Sequence, residues 1–238
     1  MNEPGPTPPS ASPCPAGCAA LRAALTELNG PLYERYGKRL FDLAGAGAGL
    51  VTIAPLLGAL AGLVYATSGR PVFFRQERVG RHRRVFRIFK FRTMVPDAVA
   101  QGRGYYIEAD DPRITRCGAW LRATSLDELP QLFNVLRGEM SLVGPRPNLV
   151  MVVERYGSRY DRIVTARPGV TGLVAIRGRN RLRRSEMIAL DDEYVARITM
   201  LGDLRILLET VPAVVLRRGA SDDVTEEFIE DIPPVSAS

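Results

Sequence analysis

The sequence predicts an α+β fold that is mainly helical, with a re-entrant helix-break-helix membrane segment, a small β-hairpin and several short helices, some at the membrane interface. Three observations support this: an uncharged stretch over 43–69, two apolar and aromatic runs over 71–74 and 85–91, and later segments of helical pattern. The 238 residues are enough for one domain with a real core. We expect that domain over 70–220, after a membrane segment over 31–69.

The uncharged stretch is interrupted near its middle by Pro55. Its 27 residues are long enough for a membrane segment. Proline removes one helical hydrogen bond and clashes with the preceding turn, so we expect helices over 43–54 and 56–69. They would reach about 18 and 21 Å at roughly 1.5 Å per residue, and neither alone crosses an apolar core of about 30 Å.

Positive charge lies on both sides of this stretch. Basic residues near a membrane end favour the cytoplasmic side, so a segment that enters and returns fits both flanks. An ordinary kinked span with the N-terminus outside and a buried soluble helix pair are the alternatives. The flanking residues are Arg35, Lys38 and Arg39 before the stretch, and Arg70, Arg75, Arg78, Arg81, Arg83, Arg84 and Arg87 after it.

The rest of the chain alternates short elements with polar loops. The runs over 71–74 and 85–91 flank a charged connection that contains Gly80, which predicts a hairpin. We expect a loop over 97–112 and helices near 113–123, 127–137, 147–163 and 185–217. Residues 1–30 read as a disordered or helical extension, and 221–238 as an acidic, solvated tail.

Composition narrows the function classes. The net charge of +6 favours a nucleic acid, an anionic membrane or a phosphorylated substrate, without choosing among them. Cys14 and Cys18 are close in sequence, but no second cysteine pair and no histidine cluster follows them, whereas a structural zinc site usually needs four ligands and a disulfide framework needs more pairs. We therefore expect reduced thiols. Nothing at the N-terminus resembles a secretory leader.

Two adjacent acids precede a predicted helix. Pro130 is tolerated only in the first turn of a helix, which places Asp127 and Glu128 at a helix N-terminus. Ser125 and Glu128 also match a capping box, a purely structural explanation. The two interpretations are compatible, because a positive helix end keeps Asp127 ionised and attracts phosphate.

Basic side chains recur in several segments. Lys90 and Arg92 alternate with aromatic residues, a pattern that also fits a nucleic-acid surface or a solvated strand face. Arg146 stands between two prolines, which suits rigid, bidentate phosphate binding. Glycine-containing turns lie beside Arg167 and Arg179, although such turns are common.

Taken in order, these segments resemble the bacterial sugar transferase family, the small monotopic phosphoglycosyl transferases. The resemblance rests on KRLFD at 38–42, KFRTM at 90–94, SLDELPQLFN at 125–134, MSLVGPRP at 140–147, RPGVTG at 167–172 and GRN at 178–180. It implies that Asp127 is the nucleophile and contacts Mg²⁺. Glu128 would be its partner in acid-base catalysis or in metal binding. The phosphate- or substrate-binding residues it implies are Lys90, Arg92, Arg122, Arg146, Arg167, Arg179 and Asn180.

The resemblance also implies a reaction and a location. A sugar-1-phosphate would pass from a UDP-sugar to a polyprenyl phosphate, releasing UMP through an aspartyl-phosphosugar intermediate, as the first membrane step of a polysaccharide or glycoconjugate pathway. The catalytic domain would lie on the cytoplasmic face of the inner membrane, in contact with lipid. We expect no nucleic-acid partner; self-association stays open. The family often has serine before the helix-breaking proline, whereas this chain has Ala54, for which Thr52 is a candidate substitute.

Two alternatives have different consequences. A nucleotide-sugar hydrolase would use the same donor site with water as acceptor. A non-catalytic membrane scaffold or nucleic-acid binder would explain the charge and the aromatic residues. It would not explain two adjacent acids beside basic motifs.

Overall fold

The computed structural model describes residues 30, 32–96, 98, 111–178 and 182–215. The predictions for the N-terminal extension, most of the 97–112 loop, the acidic tail, Arg179 and Asn180 lie outside these residues. The helices are α1 (Lys38–Ser68), α2 (Arg116–Ala123), α3 (Gln131–Arg137), α4 (Val150–Tyr156), α5 (Leu173–Arg177), α6 (Arg184–Ala196) and α7 (Met200–Val215). The strands are β1 (Phe73–Val79), β2 (Val85–Phe91), β3 (Ser141–Val143) and β4 (Gly169–Thr171).

Helix α1 is one continuous helix that contains Pro55, preceded by a π-helical turn over Tyr33–Gly37. The predicted division into two helices at this residue is therefore wrong. Proline fixes φ near −65°, a helical value, so the helix loses a hydrogen bond there without ending. Thr52 donates its hydroxyl to the carbonyl of Ala48 at 2.9 Å. Pro55 has no N–H to donate to the Val51 carbonyl, and the Thr52 hydroxyl does not take its place there. The re-entrant topology stays a prediction.

One face of α1 rests on the rest of the protein, and most of its other apolar residues are exposed. Its buried residues are Lys38, Asp42 and Ala46 at one end, and Leu60 and Val64 at the other. The segment Tyr33–Ser68 is long and apolar enough to cross a membrane, by length and composition. Only 17% of its most apolar window is buried, which disagrees with the alternative of a buried soluble helix pair.

The first turn of α1 is fixed by a buried polar cluster. The Lys38 ammonium donates to Asp203 Oδ2 of α7 at 2.6 Å and to the Val143 carbonyl of β3 at 2.8 Å. The hydroxyls of Tyr33 and Tyr194 donate to the two oxygens of the same Asp203 carboxylate at 2.6 and 2.8 Å. A buried charge needs such compensation, so α1, β3 and α7 are held as one unit.

At its other end, α1 is fixed by Arg92. This guanidinium donates to the carbonyls of Ser68, Gly69 and Arg70, the latter two at 3.0 and 2.7 Å. The last carbonyls of a helix have no intrahelical hydrogen-bond donor. Here a buried arginine provides the donors. Both ends of the apolar helix are therefore bonded to the same globular domain.

The predicted hairpin is confirmed. Strands β1 and β2 pair antiparallel, with Phe73 opposite Phe91 and Val79 opposite Val85, so β1 extends beyond the predicted 71–74. A second pairing, parallel between β3 and β4, was not predicted, because three-residue strands are too short to show a period of two. Its strands approach closely: a Cβ on Gly169 would lie 2.1 Å from the Gly144 nitrogen, so only glycine fits.

The predicted helices are present with altered boundaries. The segment predicted over 147–163 is α4 followed by two short 3₁₀ turns, and that over 185–217 is two helices, α6 and α7. The separation has a local cause: Thr199 accepts the Gly202 amide through its hydroxyl at 3.0 Å and the Asp203 amide through its carbonyl. This side-chain cap begins a new helix.

Candidate active site

The acidic pair lies in a 3₁₀ turn, Leu126–Glu128, between α2 and α3. Pro130 occupies the N-cap of α3, so Asp127 and Glu128 precede this helix instead of forming its first turn. The predicted capping box is wrong: Ser125 has left-handed backbone angles (φ 55°) and makes no capping bond with its side chain. The acids are therefore not explained by helix capping.

Asp127 is a desolvated carboxylate. It is 8% exposed, and burial raises its pKa to about 6. The positive charges of Lys90 and Arg122 oppose this rise, whereas the negative charge of Glu128 adds to it. At neutral pH the group is mostly ionised while holding little water, which favours nucleophilic reactivity.

Glu128 forms an ion pair with Lys90, which projects from β2. Their charged atoms lie 2.7 Å apart, and each side chain is about three-quarters buried, so the pair is only partly screened by solvent. Arg122 on α2 donates to Thr93 Oγ1 at 2.8 Å, just beyond β2. Two predicted basic residues thus surround the acidic pair.

Asn134 fixes the register between α3 and β2. Its side-chain oxygen accepts the Phe89 amide at 2.9 Å, and its side-chain nitrogen donates to the Arg87 carbonyl at 2.9 Å and to Glu139 Oε2 at 2.6 Å. Because Arg87 and Phe89 lie just before Lys90 on β2, these contacts hold that part of the strand against α3, the helix that follows the turn carrying Glu128. Asn134 stood in a motif of the sequence but was not singled out as a site residue.

A shallow cleft, open to solvent, lies over the ion pair. Lys90, Glu128 and Arg146 line it, so three predicted site residues share one cavity. Asp127 lies beside Glu128 in the chain but does not line the cleft, since its side chain is buried. Sequence reasoning missed three polar residues of the lining: Arg78, Gln131 and Thr171.

Two predicted phosphate-binding residues lie elsewhere. The Arg92 guanidinium donates hydrogen bonds to the carbonyls at the end of α1, so we reassign this residue to anchoring that helix. Arg167 donates to the Gly138 carbonyl at 3.1 Å, at the end of α3, and is not part of the cleft lining. Burial and the neighbouring charges of Arg81 and Arg39 lower the pKa of Arg167.

The carboxylates also bear on metal binding. Among the residues that the structure describes, no group of three or more histidine, cysteine or acidic side chains is placed to hold a metal. A closed protein site is therefore not formed there. Mg²⁺ commonly binds one or two carboxylates and takes its remaining ligands from substrate phosphates and water. The adjacent Asp127 and Glu128 fit that kind of shared site.

A buried carboxylate, a second acid paired with lysine and an arginine-bearing cleft are suited to chemistry on phosphorylated groups. The apolar helix α1 lies on the same domain. The chain belongs to the bacterial sugar transferase family, whose model matches residues 33–217. It is therefore a transferase, and the resemblance found in the sequence is confirmed.

Curated relatives agree with this family assignment. The chain is 40% identical over 197 residues to the exopolysaccharide production protein ExoY of Sinorhizobium fredii, covering 77% of this chain and 87% of that protein. It is 42% identical over 201 residues to the UDP-galactose-lipid carrier transferase of Erwinia amylovora, covering 79% and 42%. It is 40% identical over 201 residues to the undecaprenyl-phosphate galactose phosphotransferase of Salmonella typhimurium, again covering 79% and 42%.

Proposed function

We propose that this protein transfers a sugar-1-phosphate from a UDP-sugar to a polyprenyl phosphate and releases UMP. One observation carries the proposal: Asp127 is buried beside a Lys90–Glu128 ion pair, and this pair lines a cleft together with Arg146. The name of the Erwinia relative includes UDP-galactose and a lipid carrier, and the name of the Salmonella relative includes undecaprenyl phosphate and galactose, which supports these two substrate classes.

In the first half-reaction, an Asp127 carboxylate oxygen attacks the sugar-bearing phosphorus. The bond from this phosphorus to the oxygen that bridges to UMP breaks, and UMP leaves with the electron pair. An acyl phosphate that carries the sugar remains on Asp127. A buried anion suits this role, because little water must be removed before attack.

In the second half-reaction, an oxygen of the polyprenyl phosphate attacks the same phosphorus. The acyl phosphate bond breaks, the Asp127 carboxylate is restored, and polyprenyl-diphosphate-sugar is released. Arg146 and Lys90 supply positive charge to the phosphates in both steps. Glu128, held by Lys90, is placed to exchange a proton or to share a cation.

Asp127 and Glu128 are the residues that would hold Mg²⁺ together with the donor's phosphates. When bound there, the ion would offset the negative charge of the diphosphate and make UMP a better leaving group.

The apolar helix explains how an enzyme with a polar cleft meets a membrane-embedded acceptor. We propose that α1 enters the inner membrane and that the cleft lies on its cytoplasmic face. Both ends of α1 are bonded to the same domain, through Lys38 and Arg92, which supports placing them on the same side of the membrane. A polyprenyl phosphate would then present its head group close to the cleft.

Product analysis tests the proposal against its alternatives. Purified enzyme with Mg²⁺ and a panel of UDP-sugars should release UMP, and polyprenyl phosphate should convert the sugar phosphate into a lipid-linked product. A free sugar phosphate formed equally well without the lipid would support the hydrolase. Unchanged activity after Asp127→Ala would contradict the catalytic site itself.

A further inference from the structure

The loop that carries Arg146 is held in part by residues outside the cleft. Among the described residues, none accepts a hydrogen bond from the exposed Arg146 guanidinium. Its backbone N–H, in contrast, points to both oxygens of Asp191, at 3.2 and 3.3 Å. The contact joins two regions 45 residues apart in sequence.

Asp191 lies on α6 and is only 3% exposed. Burial raises its pKa to about 7, while the Arg146 amide and the charges of Arg146 and Arg184 oppose the rise. A buried carboxylate is unfavourable unless it is bonded, and the one hydrogen-bond donor that the described residues supply to it is the amide of the cleft arginine. Nothing in the sequence pattern had drawn attention to Asp191.

The same face of α6 holds the loop at a second point. Arg184, two turns before Asp191, donates to the Asn148 side chain at 3.3 Å. Asn148 in turn donates to the Arg146 carbonyl at 2.9 Å. The backbone on both sides of Arg146 is therefore tied to one helix, directly or through Asn148.

The opposite side of the loop is fixed by backbone bonds. The Gly169 amide donates to the Pro145 carbonyl at 2.8 Å, and the Gly144 amide donates to the Thr171 carbonyl at 2.9 Å. The only part of Arg146 left to move is its side chain. A guanidinium on so rigid a backbone loses little freedom when it binds a phosphate.

We propose that Asp191 is a positioning residue, which presents the Arg146 guanidinium to the donor's diphosphate by holding its backbone amide from outside the cleft. The proposal deepens the proposed function and rests on it. Asp191 acts through Arg146 and does not contact the substrate.

A double-mutant cycle tests this role. We expect D191A to lower kcat/KM for the UDP-sugar about tenfold, mainly through KM, because the hydrogen bond that holds the Arg146 amide is lost. In an R146A background, D191A should change kcat/KM by less than about twofold, because there is no guanidinium left to position. Asp191→Asn keeps an acceptor oxygen in place and should recover most of the loss.

The neighbouring acid supplies a matched control. Asp192 lies on the same helix but pairs with Arg162 at the surface, so D192N should leave the kinetics unchanged. Equal losses from D191A in the wild-type and R146A backgrounds would overturn the proposal. So would D191N falling as far as D191A. A wild-type enzyme that releases no UMP from any donor would instead contradict the proposed function, before any variant is compared.

Discussion

Replacing Lys90 with methionine should change the pH dependence of the reaction. The Lys90 charge is the strongest influence that lowers the pKa of Asp127, against the burial that raises it to about 6. Methionine has a similar length and no charge, so the variant keeps the burial and loses the opposing charge. The pKa of Asp127 should therefore rise further.

The size of the effect follows from the ordinary influence of one nearby positive charge on a carboxyl group. An opposite charge within about 4–6 Å lowers a carboxyl pKa by about 1–3. Since the nucleophile must be ionised, activity is lost as the pH falls through this pKa. In the wild type, kcat/KM should decline below pH 6, and in K90M the decline should begin about one pH unit higher or more. The variant's defect should then be deepest at low pH.

The assay is UMP release at subsaturating donor, from pH 5 to 9. Arg87→Met is the matched control, because Arg87 lies on the same strand but pairs with Glu77 outside the cleft. That variant should keep the wild-type midpoint. A K90M profile that is lowered uniformly, with its acid limb unmoved, would refute the idea that Lys90 keeps Asp127 ionised.

Three further predictions concern the cleft, the fold and the membrane. Arg146→Lys should lower kcat/KM by about tenfold or more, because lysine keeps the charge but loses the planar fork; wild-type kinetics would reduce Arg146 to a surface charge. Asn134→Ala should destabilise the protein by about 1–3 kcal/mol, seen as a lower thermal midpoint, because it leaves two part-buried backbone groups of β2 without the partner that Asn134 supplies. In a cysteine-free background, Gly30→Cys and Arg84→Cys should both be labelled only from the cytoplasmic side. Adding Pro55→Ala should make part of the residue-30 probe accessible from outside. Labelling of residue 30 from outside while Pro55 is still present would contradict the re-entrant topology.

The sequence predicted those features that depend on local pattern. The hairpin followed from aromatic runs around Gly80, and the apolar helix from its lack of charge. The prediction that the helix divides at Pro55 was wrong. Proline costs a helix one hydrogen bond and introduces a clash, but the neighbouring turns keep the backbone helical. The capping interpretation failed at Ser125, whose left-handed angles no spacing rule anticipates.

The parts of the site that were not predicted from the sequence depend on contacts between residues far apart in the chain. Lys90, Glu128 and Arg146 do share a cleft, as motifs rich in charge suggested. Arg92 looked equivalent to Lys90 on the strand, yet it is bonded to the end of α1. Asp191 is one acid among several on α6, and only the packing of that helix against the Arg146 loop distinguishes it.

The covalent intermediate on Asp127 is the most direct test of the proposed mechanism. Enzyme mixed with Mg²⁺ and a UDP-sugar, without the lipid acceptor, should release about one UMP per active site in a burst. Mass spectrometry should then find the sugar phosphate on the peptide that contains Asp127, and Asp127→Asn should abolish both burst and adduct. No burst and no adduct, with UMP formed only when both substrates are present, would contradict the account and assign the acidic pair to metal binding and base catalysis.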